Sequence, residues 1–114
     1  MGATFTVSVQ DGAIVLEDQN KGRSVTNDAE NVIRRLAADG YDLTMPVIYR
    51  DTMGQYDQLV VKAGKFFGFR TLGGANTYAE ARVALAEPDP KRRRRVIDAL
   101  RDGTLVEPGT GEAD

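Results

Sequence analysis

The strongest chemical signal in this sequence is a run of cations. Lys91 to Arg95, called here the basic segment, are consecutive in a chain of 114 residues whose net charge is −2. The sequence contains no histidine and no cysteine, the side chains that most often supply nucleophiles, proton carriers and ligands for transition metals near neutral pH. This composition favours a protein that binds a partner over an enzyme, and it predicts no metal and no cofactor.

Carboxylates are the remaining groups that could perform catalysis, because paired acids can exchange protons without histidine. The candidates are Asp28, Glu30, Asp51 and Asp57. The first two suit the start of a helix, where negative charge is favourable, and the last two flank a turn, where aspartate is common. We therefore predict no catalytic residue, and a small carboxylate-dependent hydrolase is kept as the second alternative.

The basic segment could contact an acidic protein surface or the phosphates of a nucleic acid. On a helix, consecutive residues point about 100° apart, so only part of the segment can face one partner. The segment contains no aromatic side chain that could stack on a base, as single-stranded nucleic acid binding would favour. Residues 104–114 carry three acidic and no basic side chains, which would repel a polyanion. A protein is therefore the expected partner, with nucleic acid as the alternative and a merely solvated surface also open.

Aromatic residues and arginines share the middle of the chain. Phe66 and Phe67 are neighbours in an expected strand, so they must face opposite sides of a sheet. Exposed aromatics beside arginine resemble the composition of protein–protein hot spots. Either one aromatic set is exposed, or the C-terminal segment covers the second face. The predicted partner-binding residues are Arg50, Tyr56, Phe67, Arg70, Lys91, Arg92, Arg93, Arg94 and Arg95.

Two strands and a helix are expected in the first part of the chain. Alternation over residues 4–10 predicts a strand, and residues 13–16 return after Asp11-Gly12, a dipeptide that favours a type I′ turn. Asn27 is expected to cap the helix and Gly40 to end it. The buried stripe of this helix is expected to contain Ala29, Val32, Ile33, Leu36 and Ala37.

The rest of the chain predicts three strands and two helices. The strands are residues 47–50, 56–61 and 66–72, and Gly68 indicates a bulge or a close backbone approach in the last of them. The helices begin after Thr77 and after Asp89. The sequence therefore predicts a single α+β domain over residues 1–103, with an antiparallel sheet of about five strands in the order ββαβββ. Residues 104–114 are expected to form a disordered acidic tail.

A resemblance adds a context. The stretch SVTNDAENVI at residues 24–33 and VIYRD at residues 47–51, with Gly54 after it, resemble a family of small uncharacterised proteins of bacteria and their phages. The resemblance covers residues 24–72, and the family has no established activity. It implies an accessory protein of a mobile element, for example an inhibitor of a host defence complex of the anti-CRISPR kind. With no expected membrane span and no secretory signal, we predict a cytoplasmic protein.

Overall fold

The strands and helices lie close to where the sequence predicts them. The computed structural model describes residues 5–18 and 28–104. The elements, in chain order, are β1 Phe5–Gln10, β2 Ala13–Asp18, α1 Ala29–Ala38, β3 Val47–Arg50, β4 Tyr56–Lys62, β5 Lys65–Thr71, α2 Tyr78–Ala86 and α3 Pro90–Arg101. The expected cap at Asn27 and the acidic tail beyond Thr104 lie outside the described residues.

The described strands form one sheet in the order β1-β2-β3-β4-β5. The α+β class and the predicted order of elements are confirmed. One pairing differs from the expected antiparallel sheet, because β2 and β3 are parallel. The chain leaves β2, crosses one face of the sheet through α1 and enters β3 in the same direction, as a helical crossover requires. The sheet is therefore mixed.

The helix α1 covers one face of the sheet. Its buried residues pack on Ile14, Leu16, Val47, Tyr49 and Leu59. The helix ends in a Schellman motif, since the amide of Tyr41 donates to the carbonyl of Leu36 and Gly40 has a φ of 87°. Gly40 therefore ends the helix as predicted.

The helices α2 and α3 cover the opposite face. Val15, Ile48 and Tyr56 of the sheet pack there against helix residues that include Ala84 and Ile97. Both outcomes that the sequence left open occur in part, because the C-terminal segment covers the second face over the central strands while Phe67 and Phe69 remain exposed. Because the central strands β2 and β3 are covered on both sides, the parts of the sheet left for a partner are its two edges and its ends.

Candidate partner-binding surface

A tight turn connects β4 to β5. Ala63 and Gly64 have φ angles of 52° and 76°, and Lys62 pairs with Lys65. Positive φ at both central residues is the mark of a type I′ turn, whose twist matches that of the flanking strands. The turn therefore fixes the register of β5, which is the outermost strand on its side of the described sheet.

A bulge in β5 decides which aromatic side chain is exposed. Val61 pairs with Phe66 and Val60 with Gly68, so Phe67 is the extra residue. Gly68 has a φ of 147°, which a residue with a Cβ atom rarely adopts. The bulge predicted at Gly68 is confirmed. The Phe67 ring is 64% exposed, and the Lys62 ammonium lies 5.5 Å from its centroid.

A second aromatic side chain borders the other side of β5. Phe69 is paired with Leu59, a residue of the core under α1, and it is 44% exposed. Its ring meets Phe66 edge to face, with the centroids 5.0 Å apart. Each side of β5 thus presents one partly exposed aromatic ring.

Arg70 connects β5 to the end of α2. Its guanidinium donates to Gln58 Oε1 at 3.0 Å and to the backbone carbonyls of Leu85 and Glu87 at 3.2 and 2.6 Å. Burial lowers the pKa of Arg70, and the positive charge of Arg93 lowers it further. Most of the Arg70 donors are therefore used inside the protein.

These residues form a continuous group on one edge of the sheet. The β5 edge surface is defined as Lys62, Lys65, Phe67, Phe69 and Arg70.

The basic segment does not form a uniform cationic face. Arg93 is only 7% exposed, and its guanidinium donates to three backbone carbonyls, those of Glu87 at 3.0 Å, Pro88 at 3.1 Å and Thr71 at 3.3 Å. These hydrogen bonds satisfy backbone carbonyls at the end of β5 and between α2 and α3. Arg93 thus acts as an internal clamp and offers little surface to a partner.

Its neighbours are partly engaged as well. Arg92 lies 3.7 Å from the Glu87 carboxylate. Arg94 donates to the Gly73 carbonyl at 3.2 Å and lies 3.5 Å from Asp98. Within the described part of the chain, only the Lys91 and Arg95 side chains of this segment make no hydrogen bond or ion pair.

The other two predicted partner-binding residues lie elsewhere. Arg50 contacts the Glu17 carboxylate at 3.2 Å and lies 5.7 Å from the Tyr56 ring centroid. Tyr56 is only 7% exposed, under the C-terminal helices. A cleft of about 260 Å³ beside Arg50 is lined by Glu17, Asp18, Arg50, Asp51, Thr52 and Gly54. The structure therefore joins Phe67 and Arg70 but separates them from Arg50 and Tyr56.

Two of the four candidate acids, Asp51 and Asp28, hold local structure. Asp51 Oδ1 accepts hydrogen bonds from the amides of Met53 and Gln55, both at 2.9 Å, and so holds the turn before β4. Burial and the nearby charge of Asp51 raise the pKa of Asp57, although the Leu72 amide opposes this shift. Asp28 Oδ1 accepts from Asn31 at the start of α1. Among the described residues, no cluster of three or more His, Cys, Asp or Glu could hold a metal ion.

Comparisons of the chain with protein-family models, with curated proteins and with solved structures give no match. The resemblance over residues 24–72 therefore stays a prediction. Among the helices in the described ranges, none is long and apolar enough to cross a bilayer.

Sequence reasoning missed three members of the β5 edge surface as binding candidates. Lys62 and Lys65 lie in the connection between the predicted strands 56–61 and 66–72, and Phe69 lies within the second of these strands. The signal was present, because a glycine bulge changes the alternation of side chains along a strand and places rings on both sides of it. The cations at both ends of that strand complete the pattern.

Proposed function

We propose that the protein is a non-enzymatic binding module that holds an acidic surface of a partner protein against the β5 edge surface. The observation that carries the proposal is the exposure of Phe67 and Phe69 near Lys62 and Lys65. The two rings belong to β5, whose outer edge pairs with no other described strand. Aromatic rings surrounded by charge are typical of the few residues that supply most of the binding free energy in protein complexes.

The choice of an acidic partner follows from the charges along β5. Lys62 and Lys65 lie at the turn, and Arg70 lies at the far end of the strand. Glu87, which contacts both Arg70 and Arg92, has little of its side chain exposed. A partner carrying carboxylates would therefore meet mainly opposite charge, which accelerates association.

The engaged arginines of the basic segment support protein over nucleic acid as the partner. A phosphate-binding surface needs several guanidinium or ammonium groups that point outward together. Arg93 is instead buried, and Arg92 and Arg94 each have an acidic neighbour. With Lys91 and Arg95 alone outside such contacts, nucleic-acid binding is the weaker alternative.

The turn and helix-start contacts of Asp51 and Asp28 disfavour the hydrolase alternative. The resemblance to small bacterial and phage proteins extends the proposal to a biological role, the inhibition of a host defence complex through this surface.

The test is site-specific crosslinking. A photoreactive phenylalanine derivative replaces Phe67, and a matched control places it at Thr6, an exposed position on β1 at the opposite edge of the sheet. In host lysate treated with nuclease, we expect a protein adduct from position 67 and none from position 6. The captured protein is then identified, purified and titrated with the wild-type module.

The variant Lys62→Glu with Lys65→Glu should slow association with that purified protein by about tenfold or more, because long-range attraction becomes repulsion. The matched control is Lys91→Gln with Arg95→Gln, which removes the two cations of the basic segment that lack internal contacts and should change the rate little. Adducts that nuclease abolishes, or a rate that depends on Lys91 and Arg95 instead, would contradict the proposal.

A further inference from the structure

The outer edge of β5 is open along most of its length. In the described residues β5 pairs only with β4. At its C-terminal end the Thr71 carbonyl accepts a hydrogen bond from Arg93. Outside the ladder with β4, no hydrogen bond within the described ranges reaches the backbone of residues 65–70. A row of unpaired amides and carbonyls of this kind is a template for a further strand.

The two sides of this edge differ in chemistry. Lys62 and Lys65 are paired, so they share one side of the sheet, and Lys62 lies over Phe67. Arg70 extends to the end of α2, which covers the same side. The side under α1 instead presents Phe69 beside Phe66. One side of the edge is therefore cationic, and the other presents two aromatic rings, with Glu30 and Arg34 of α1 near Phe66.

We propose that an extended segment of the partner protein adds to β5 as a further strand, and that this segment alternates acidic and apolar residues. Successive side chains of a strand point to opposite sides of a sheet. The acidic residues of the incoming strand would face Lys62, Lys65 and Arg70, and its apolar residues would extend the surface that Phe69 begins. The inference rests on the proposed function and specifies how the partner binds.

A second copy of this chain is a poorer occupant of the same edge. Antiparallel pairing of two copies about the middle of β5 would bring Lys65 of one copy close to Arg70 of the other. Like charges on opposing strands destabilise such pairing. Lysines and a bulge are also the features by which natural edge strands avoid self-association. An acidic strand removes the charge conflict and keeps the backbone hydrogen bonds.

The test uses a synthetic peptide of about eight residues that alternates glutamate and valine, long enough to span an average strand. The control peptide has the same composition with the glutamates grouped at one end. We expect the alternating peptide to bind at least about tenfold more tightly, which corresponds to about 1.4 kcal/mol. Amide hydrogen exchange of residues 65–70 should slow on binding, whereas exchange in β1 should not change.

Two N-methylated versions test the backbone contacts. One carries the methyl groups on the glutamate nitrogens and the other on the valine nitrogens, and only one set of amides can face β5. We expect one version to lose about tenfold or more in affinity and the other to retain it. Equal affinities for the two versions would mean that no strand is added.

A charge exchange on the protein completes the design. Lys62→Glu with Lys65→Glu should lose the glutamate–valine peptide and gain affinity for a lysine–valine peptide. If the alternating and grouped peptides bind equally, or neither binds, strand addition is wrong, while crosslinking from position 67 could still succeed and leave the proposed function intact. If sedimentation experiments show a dimer of this chain that the peptide dissociates, the edge binds a second copy and the proposal is wrong.

Discussion

The two edge strands occupy equivalent positions in the sheet and differ in chemistry. On β1, Thr6, Ser8 and Gln10 are exposed, and the Tyr78 hydroxyl donates to the Gln10 carbonyl at 2.6 Å. On β5, aromatic rings and cations border backbone groups that have no partner strand on the outer edge. Only the Thr71 carbonyl there accepts a described hydrogen bond, from Arg93. The difference teaches that two edges of one sheet can carry different chemistry: α3 closes one end of the β5 edge, whereas the hydrogen bond from α2 to β1 lies at the Gln10 carbonyl beside the β1–β2 turn.

The closure of β5 by Arg93 gives the largest expected effect. Arg93→Ala leaves three backbone carbonyls near the α2–α3 junction without their guanidinium donor. Charge-assisted hydrogen bonds contribute about 1.5–3 kcal/mol each but are not additive, so we expect a loss of about 3 kcal/mol in the free energy of unfolding. Urea denaturation measures it.

Arg95→Ala is the matched control for Arg93→Ala. The Arg95 side chain makes no described contact, so its removal should change the free energy of unfolding by less than about 0.5 kcal/mol. Equal effects of the two substitutions would show that Arg93 does not act as a clamp.

The next effect concerns the contact between α2 and α3, the helices that contact both edge strands. The Arg101 guanidinium donates to the Glu80 carboxylate at 2.8 and 2.9 Å. These hydrogen bonds lower the pKa of Glu80 from 4.5 to about 2, with help from the Asn76 amide and against the opposing effect of burial. The resulting stability is complete above the unfolded-state pKa and is lost as the pH falls towards about 2.

Glu80→Gln should therefore cost about 1–2 kcal/mol at neutral pH, after allowance for the partly exposed Arg101. The difference in urea midpoint between wild type and variant should shrink as the pH is lowered from 5 to 2. A difference that stays constant over this range would show that the Glu80 charge is not responsible.

The contact of α2 with β1 should contribute less stability than the contact of α3 with β5. Tyr78→Phe removes one neutral hydrogen bond to Gln10 and keeps the ring, so we expect a cost of about 1 kcal/mol. Hydrogen exchange should accelerate at the Gln10 end of β1 and remain unchanged in β5. Equal acceleration in β1 and β5 would show that the two helix–strand contacts are not independent.

The smallest effect is expected for the ring that carries the proposed function. Phe67→Ser changes an exposed side chain at a bulge, so the free energy of unfolding should move by less than about 0.5 kcal/mol. Binding of the alternating peptide should nevertheless weaken. A large loss of stability in a thermal melt would indicate that Phe67 serves the fold.

Local features were predictable because neighbouring residues determine them. Asp11-Gly12 forms its turn with φ angles of 49° and 82°. Thr77 Oγ1 accepts from the Glu80 amide, and Asp89 accepts from the Lys91 amide, so both helix starts are as expected. The bulge at Gly68 also follows from one residue type in a strand.

Features that depend on distant residues were not predictable. Nothing near Arg93 in sequence shows that it reaches Thr71, a residue 22 positions earlier. The burial of Tyr56 and the exposure of Phe67 depend on where α2 and α3 pack. The parallel pairing of β2 with β3 depends on the path of α1 across the sheet. Of the candidate surface, the sequence therefore indicated Phe67 and Arg70 but not their grouping with Lys62 and Lys65.

The parallel pair also has a kinetic consequence. The β1–β2 hairpin and the β3–β4–β5 meander are each built from short turns, so each can form through local contacts. Joining them pairs Leu16 with Tyr49 and closes a long loop through α1. We expect this joining to limit the folding rate. Substitutions at Ile48, which is buried and pairs with Val15 across the parallel β2–β3 junction, should then slow refolding in stopped-flow experiments more than substitutions at either edge.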